Sequence, residues 1–298
     1  FLPREIEMLI KLNHPHLVHT HSIFQRRNKY FIFMRFMENG DLLEHILQKG
    51  AVQEDQARIW TRQLALAIQY MHELEIAHRD IKCENVLLTA NQNAKLSDFG
   101  FARMCVDKRL KSIHSDTFCG SLSYTAPEIL QGSPYYPKPT DIWSLGIVMY
   151  VMLNRAMPFE DKHIKQLYQA QINKNWRFRS RYVDSLSDNC KRLINQMLEP
   201  NYRNRIKIDN ILNSEWIAMD ARLLGWNIKV NFFVNCLKCY KISEWSPQET
   251  LAYNKAREEK RSLIKKLEVE ENIKEPQPET SIVKSNCESV GSNSTWCD

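Results

Sequence analysis

The sequence predicts an α+β fold in which a short mixed segment precedes a mainly helical body, and three observations carry that expectation. Residues 54–75 place Ala57, Trp60, Leu64, Ala67, Ile68, Met71 and Leu74 at intervals of three and four, the stripe of a long helix packed along one face. Residues 141–153 are apolar on nearly every side, which for a helix of that length means burial in the middle of a domain. Ahead of both, residues 17–24 and 29–37 have strand character, the second run being rich in aromatic and β-branched side chains.

In chain order, residues 1–12 space Leu2, Ile6, Leu9, Ile10 and Leu12 at near-helical intervals, with Glu5 among them and Pro15 as a breaker beyond. The two strands follow, and Asn39-Gly40 marks a turn. After the long helix, Val86-Leu87-Leu88 and Ala94-Lys95-Leu96 read as a short hairpin that aims Asp98 back at residues 78–85. From Asp98 to Glu128 the chain is polar and turn-rich, as a mobile regulatory segment is. Asp141 can cap the N-terminus of the apolar helix. Residues 164–172, 188–198 and 208–211 continue as helical patterns that end near Trp216. Beyond Arg222 the character changes: residues 226–240 are apolar, 248–273 are a charged helical pattern, and the end is rich in Ser, Asn, Pro and Glu, expected to be disordered.

A length of 298 residues with 43% hydrophobic residues suffices for one large domain or two of ordinary size. The formal charge of +6 is modest, and cations and anions are interleaved rather than striped, so nucleic acid is not an expected partner. The most apolar run, residues 145–153, is too short to cross a bilayer, so no membrane is expected either. Eight scattered cysteines without a signal-peptide pattern are expected to be the reduced thiols of a cytoplasmic protein. Cys236 and Cys239 form a CxxC with no second ligand pair near it, which argues against a zinc site.

Residues 78–85 read His78-Arg79-Asp80-Ile81-Lys82-Cys83-Glu84-Asn85, and thirteen residues past Asn85 comes Asp98, opening Asp98-Phe99-Gly100. Singly, each has an ordinary explanation, since an Asp in a loop is commonly a turn former. As an ordered set they supply what phosphoryl transfer requires: a carboxylate to receive the acceptor hydroxyl's proton, and oxygen ligands that hold magnesium on the phosphates. Asp80 is the candidate base. Asn85 and Asp98 are oxygen ligands of the kind that hard, strongly hydrated magnesium accepts. Lys82, two residues beyond the base, can neutralise charge on the moving group.

Together with Phe1-Leu2-Pro3-Arg4-Glu5, Leu96-Ser97-Asp98-Phe99-Gly100-Phe101, Thr117-Phe118-Cys119-Gly120-Ser121 and Asp141-Ile142-Trp143-Ser144-Leu145-Gly146, these motifs make residues 1–220 resemble a serine/threonine protein kinase catalytic domain. Their wording is similar to that of the testis-specific serine kinase family. The resemblance implies a protein kinase-like fold: residues 1–38 as a remnant of the small lobe, 39–222 as the mainly helical large lobe, and 223–298 as a C-terminal extension. It also implies ATP and Mg2+ as cofactors, protein substrates presenting Ser or Thr, and a place in germ-cell signalling during spermatogenesis.

The resemblance carries further roles residue by residue. Glu5 matches the helix glutamate that pairs with a lysine on a small-lobe strand. Met34 matches the gatekeeper, and Arg35 to Met37 the hinge whose backbone would bond adenine. Asp41 would meet the ribose and Leu87 would lie beneath the adenine. Lys82 is typical of serine/threonine rather than tyrosine specificity, and Glu84 and Ser121 are implied to face the substrate. Thr117 matches the phosphosite of an activating kinase, where added phosphate would engage Arg79 and order the segment. Glu128 and Arg205 match a buried ion pair, and Asp141 the residue that holds the catalytic-loop backbone. Val151 stands where arginine-directed relatives place an acid, so that preference is not expected.

This sequence contains neither a glycine-rich phosphate loop nor the lysine partner of Glu5. Two expectations follow: an ordinary kinase whose start is missing from this sequence, or a truncated pseudokinase serving as a scaffold or docking module. Retention of Asp80, Lys82, Asn85 and Asp98 favours the first. The fragment alone is expected to be inactive, because positioning of the phosphates is most of this catalysis.

Overall fold

Glu54–Glu73 forms the long helix (α3) around which the computed structural model is assembled. The structure describes residues 2–223, apart from 28, 108–110, 116, 118 and 161. Cys236, Cys239 and the remainder of the expected 223–298 extension lie outside the described residues. Ahead of α3 come α1 (Leu2–Lys11), β1 (Thr20–Arg26), β2 (Lys29–Met34) and α2 (Leu42–Lys49). After it come β3 (Ile76–Ala77), β4 (Val86–Leu88), β5 (Ala94–Leu96), β6 (Arg103–Met104), α4 (Pro127–Leu130), α5 (Pro137–Asn154), α6 (Ile164–Ile172), α7 (Ser180–Val183), α8 (Asp188–Met197), α9 (Ile208–Leu212) and α10 (Glu215–Ala218). The strands pair antiparallel as β1–β2, β3–β6 and β4–β5.

The stripe on α3 packs as its spacing requires: Ala57, Trp60, Leu64, Ala67, Ile68 and Met71 are all buried. Burial continues around the helix through Thr61, Arg62, Gln63 and His72, because α5, α9 and β5 pack against it from several sides. Leu74 departs from the stripe: it stands at the C-cap and is exposed, since the chain turns away at Glu75 with φ +59°. At the opposite end, Glu54 accepts hydrogen bonds from Ser187 N (2.7 Å), Ser187 Oγ (2.7 Å) and Trp216 Nε1 (2.8 Å), tying the first turn of α3 to α8 and α10. A carboxylate there also complements the positive end of the helix.

The apolar helix α5 begins at Pro137, four residues earlier than its hydrophobic run, with Tyr136 in the cap position. Prolines suit the first turn, where backbone N–H groups have no helical partner. Asp141 therefore lies inside the helix and does not cap it; its carboxylate is committed elsewhere, as described below. Gly146 is fixed by packing: a Cβ at that position would lie 2.9 Å from Met197 Cβ and 3.0 Å from Leu198 Cδ2, so α5 and the end of α8 approach at glycine distance. Nearby, Arg205 grips Glu128 with two bonds of 2.7 and 2.8 Å, donates to the carbonyls of Pro139 and Glu199, and lies 5.1 Å from the Trp143 ring centroid.

Two of the expected strands shift. Leu17 and Val18 pair with Leu96 of β5 rather than extending β1, with Val18 N donating to Leu96 O at 2.9 Å. β2 stops at Met34, and Arg35 N turns back to His19 O at 2.9 Å. The helix α2 has no counterpart among the sequence expectations: it is eight residues long, too short to display a period, and is defined by Asp41 Oδ1 accepting Glu44 N (2.8 Å) and by burial of Leu42 and Ile46. On the β1–β2 ribbon, Phe24, Phe31, Phe33 and Met34 are exposed, whereas the cross-strand pair Ile23 and Ile32 is half-buried against the core.

Gly146→Ala should lower the unfolding free energy by about 1–3 kcal/mol, the usual cost of overpacking a filled core, as read by urea denaturation. A second expectation concerns His14 and His16. His14 stacks on Tyr70 (centroids 5.1 Å apart) and its Nδ1 accepts His16 N (3.1 Å), while His16 Nδ1 lies 3.3 Å from Ala94 O. Burial holds both rings neutral, pushing His14 from 6.5 to about 3 and His16 from 6.5 to about 4. Below about pH 6.5 the unfolded chain takes up protons that the folded chain refuses, so stability falls as pH drops from there towards 4. A His14→Gln/His16→Gln variant should show a flatter decline across that window in urea denaturation; an identical slope would refute the assignment.

Candidate active site

Residues 78–85 form the loop between β3 and β4, and its foundation is Asp141 of α5. Asp141 Oδ2 accepts His78 N at 2.9 Å and Oδ1 accepts Arg79 N at 2.8 Å, while His72 Nε2 of α3 lies 2.8 Å from Oδ2. Arg79 has φ +68°, a left-handed conformation unfavourable for a side chain with a Cβ, and these two bonds hold it there. Burial acts to raise the Asp141 carboxyl, but the hydrogen bond and charge of His72 and the Arg79 N–H outweigh it and hold it below the ordinary range. His78 is fully buried and burial lowers it, favouring a neutral ring. That ring donates from Nε2 to Ser97 O (3.0 Å) and accepts Asp80 N at Nδ1 (3.3 Å). Cys83 is buried in the same loop and its thiol is pushed up to about 12 by burial, which makes it inert.

The loop gathers polar groups around one carboxylate. Asp80 Oδ2 receives Asn85 Nδ2 (3.0 Å) and Lys82 Nζ (2.9 Å), and Oδ1 receives Ser121 N (3.3 Å). Lys82 Nζ also donates to Ser121 Oγ (3.2 Å). Asn85 Nδ2 is further engaged by Asp80 O (2.8 Å), so the amide nitrogen is consumed and Asn85 Oδ1 is the atom left to meet a cation. Gly120 makes this closure possible: it has φ +92°, and a Cβ there would lie 2.9 Å from Arg79 O. Its place in the Thr117–Ser121 motif carries no sign of that role.

Asp98 follows β5, whose end is stapled to the loop by Ser97 N and Oγ donating to Asn85 O, both at 2.9 Å. Asp98 is exposed with φ +60°, and its Oδ1 accepts Gly100 N at 3.1 Å. Phe99 is buried, edge-on to His78 with centroids 5.5 Å apart. Glu5 of α1 reaches the same turn: its Oε2 lies 3.7 Å from where a Cβ on Gly100 would sit. Burial, then the charge of Asp98, raises the Glu5 carboxyl. Among the described residues no lysine or arginine forms an ion pair with it.

The remaining candidates are distributed around this centre. Met37 is buried and its N–H makes no hydrogen bond within the described chain, whereas Met34 and Arg35 are exposed and Arg35 N is already donated to His19 O. Leu87 is half-buried and bridges to Asp41, whose Oδ1 is occupied as the cap of α2. Glu84 is exposed on the loop. Arg79 spends its guanidinium on Phe101 O and Ser115 Oγ, both at 2.8 Å, so Ser115 rather than Thr117 supplies the hydroxyl at its Nη1. Thr117 is placed through its backbone, its carbonyl accepting Tyr135 Oη at 3.0 Å, while Ser115 and Tyr135 exchange backbone bonds of 2.8 and 2.9 Å. Ser115, Tyr135 and His72 carry no local pattern that would have marked them.

The donor set fits magnesium. Asn85 and Asp98 offer hard oxygens, and among the described residues no group of three or more His, Cys, Asp or Glu side chains forms an all-protein cage. Magnesium bound by phosphates needs only one or two such oxygens from protein.

Asp141→Asn replaces one of two charged acceptors and should destabilise the protein by about 1–3 kcal/mol at neutral pH in urea denaturation. Because the Asp141 carboxyl is held below its ordinary value of 3.8, its contribution is complete above that pH and fades below it. The gap between variant and parent should therefore close on acidification below pH 3.8; a gap that persists would sink the interpretation.

Residues 2–217 match the family model described as the protein kinase domain. The chain is 48% identical over 228 residues to testis-specific serine/threonine-protein kinase 1 of Mus musculus, covering 76% of this chain and 62% of that protein. It is 44% identical over 219 residues to testis-specific serine/threonine-protein kinase 2 of Mus musculus, covering 73% and 61%. With testis-specific serine/threonine-protein kinase 3 of Mus musculus it shares 39% over 220 residues, covering 73% and 80%. The chain thus spans about three fifths of the length of the first two relatives. The domain match runs over the residues that fold around Asp141 and Asp80, and with these identities it establishes that the chain belongs to the protein kinase family.

Proposed function

We propose that the full-length protein is a serine/threonine protein kinase of the testis-specific type, transferring the γ-phosphoryl group of ATP to Ser or Thr hydroxyls of protein substrates in germ-cell signalling. The observation that carries this reading is the Asp80 carboxylate held among Asn85, Lys82 and Ser121 at 2.9–3.3 Å. Asp80 would orient the acceptor hydroxyl and take its proton, while Lys82, paired with Asp80 and Ser121, would steady negative charge on the transferred group. Arg79 and Asp141 set the backbone that aims Asp80. Glu84 and Ser121 would face the substrate.

Asn85 Oδ1 and the free oxygen of Asp98 would hold magnesium, which when bound supplies charge neutralisation on the phosphates. Met37 N–H is the open hinge donor for adenine, with Met34, Arg35 and Leu87 around it, Asp41 near the ribose and Glu5 facing the phosphate side. An activating kinase would act at Thr117; for its phosphate to reach Arg79, the Ser115 hydroxyl must yield. A scaffold role has no residue-level observation in its favour.

The test uses the full-length native protein with magnesium, labelled ATP and matched Ser, Thr and Tyr peptides. Transfer to Ser and Thr is expected. Asp80→Asn should cut kcat by roughly 10²–10⁴-fold, as loss of a positioned general base does, with the thermal midpoint retained. Asp98→Ala should abolish transfer, and undiminished turnover in either variant would refute the role of the residue replaced.

A further inference from the structure

Arg79 is buried beside the candidate base, and its side chain ties together two parts of the chain that lie outside its own loop. Its Nε donates to Phe101 O just past the Asp98 turn, and its Nη1 donates to Ser115 Oγ, both at 2.8 Å. Both acceptors are neutral. A phosphate would make a stronger, two-pronged contact with the same guanidinium, yet a hydroxyl occupies Nη1 here. Gly120, against Arg79 O, and Ser121, whose N–H reaches Asp80 Oδ1 at 3.3 Å, follow Ser115 within six residues.

Ser115 is buried and is held from its other side. Its N–H donates to Tyr135 O (2.8 Å) and its carbonyl accepts Tyr135 N (2.9 Å). Tyr135 is buried two residues before α5, and its Oη donates to Thr117 O at 3.0 Å. Burial raises the Tyr135 hydroxyl above its ordinary value, so at neutral pH it keeps the proton it donates. The bonds therefore form a closed ring: Asp141 of α5 fixes Arg79, Arg79 fixes Ser115, and Ser115 returns through Tyr135 to the start of α5. That ring closes without the Thr117 side chain.

We infer that Ser115 is a positioning residue for phosphoryl transfer: seated on Tyr135, its hydroxyl holds residues 101–121 against Arg79 while Thr117 carries no phosphate, giving the protein basal activity before Thr117 is modified. The inference rests on the kinase reading of the same site. Phosphate on Thr117 displaces the hydroxyl from Arg79, because the ionic contact is the stronger of the two, and Ser115 then becomes dispensable.

The experiment uses the full-length protein carrying Thr117→Ala, which accepts no phosphate at that position, and measures transfer from ATP to a Ser peptide. Adding Ser115→Ala should lower kcat at least about tenfold, the scale of one lost bond to a charged donor, with KM for ATP held within about twofold. Ser115→Thr keeps a hydroxyl and should restore kcat to within about threefold. With Thr117 intact and phosphorylated, Ser115→Ala should cost less than about twofold, since phosphate then meets Arg79; an equal loss there would show a merely structural role and overturn the inference. Hydrogen exchange of the amides in residues 101–121 is a readout independent of transfer: in the Thr117→Ala protein it should speed up with Ser115→Ala and not with Ser115→Thr. The thermal midpoint is the folding control, and if Ser115→Ala fails to fold, Tyr135→Phe, which keeps the ring and loses the bond to Thr117 O, should speed exchange in its place. Absence of transfer in the parent with exchange responding in this way would overturn the kinase reading and support the hold by Ser115. Transfer in the parent with kcat and exchange both unmoved by Ser115→Ala would overturn the hold alone.

Discussion

The candidate site depends on one buried carboxylate. Asp141, inside the apolar helix α5, accepts the backbone N–H groups of His78 and Arg79 and is met by His72 from α3. A carboxylate without partners at that depth would be severely penalised, so its three donors and the loop that supplies two of them are mutually required. The left-handed Arg79 is the local cost, offset by those bonds. Once Arg79 is set, Asp80 is set, and Lys82, Asn85 and Ser121 fall within reach of it.

The rest of the fold keeps Asp141 where it is. α5 is buried on all sides by α3 and α8, and the glycine contact at Gly146 leaves no slack along its axis. The stretch from Gly120 to Glu128 is tied at both ends, by Gly120 lying against Arg79 O and by the Glu128–Arg205 pair. A packed interior is rigid, so a segment tied at both ends presents Ser121 to Asp80 in a defined position. Just before that stretch, Ser115 exchanges backbone bonds with Tyr135, and its hydroxyl accepts Arg79 Nη1.

The two central helices, the α+β class and the local cluster of Asp80, Lys82 and Asn85 are legible in the order of residues alone. Helical periodicity is written every three or four residues, and residues within one short loop are neighbours in any conformation. Features that depend on distant partners are set by the folded chain. Local pattern makes Asp141 a helix cap, and only the family resemblance pointed to its hold on the catalytic loop; it lies inside α5, and the donors lie more than sixty residues earlier, beyond the reach of any local pattern. Leu17 and Val18 join β5 instead of β1, since strand pairing is chosen by the partner edge. The eight-residue α2 was too short to show a period. Ser115 and Tyr135, and the small space that demands Gly120, exist only where separate parts of the chain meet, so no local pattern could reveal them.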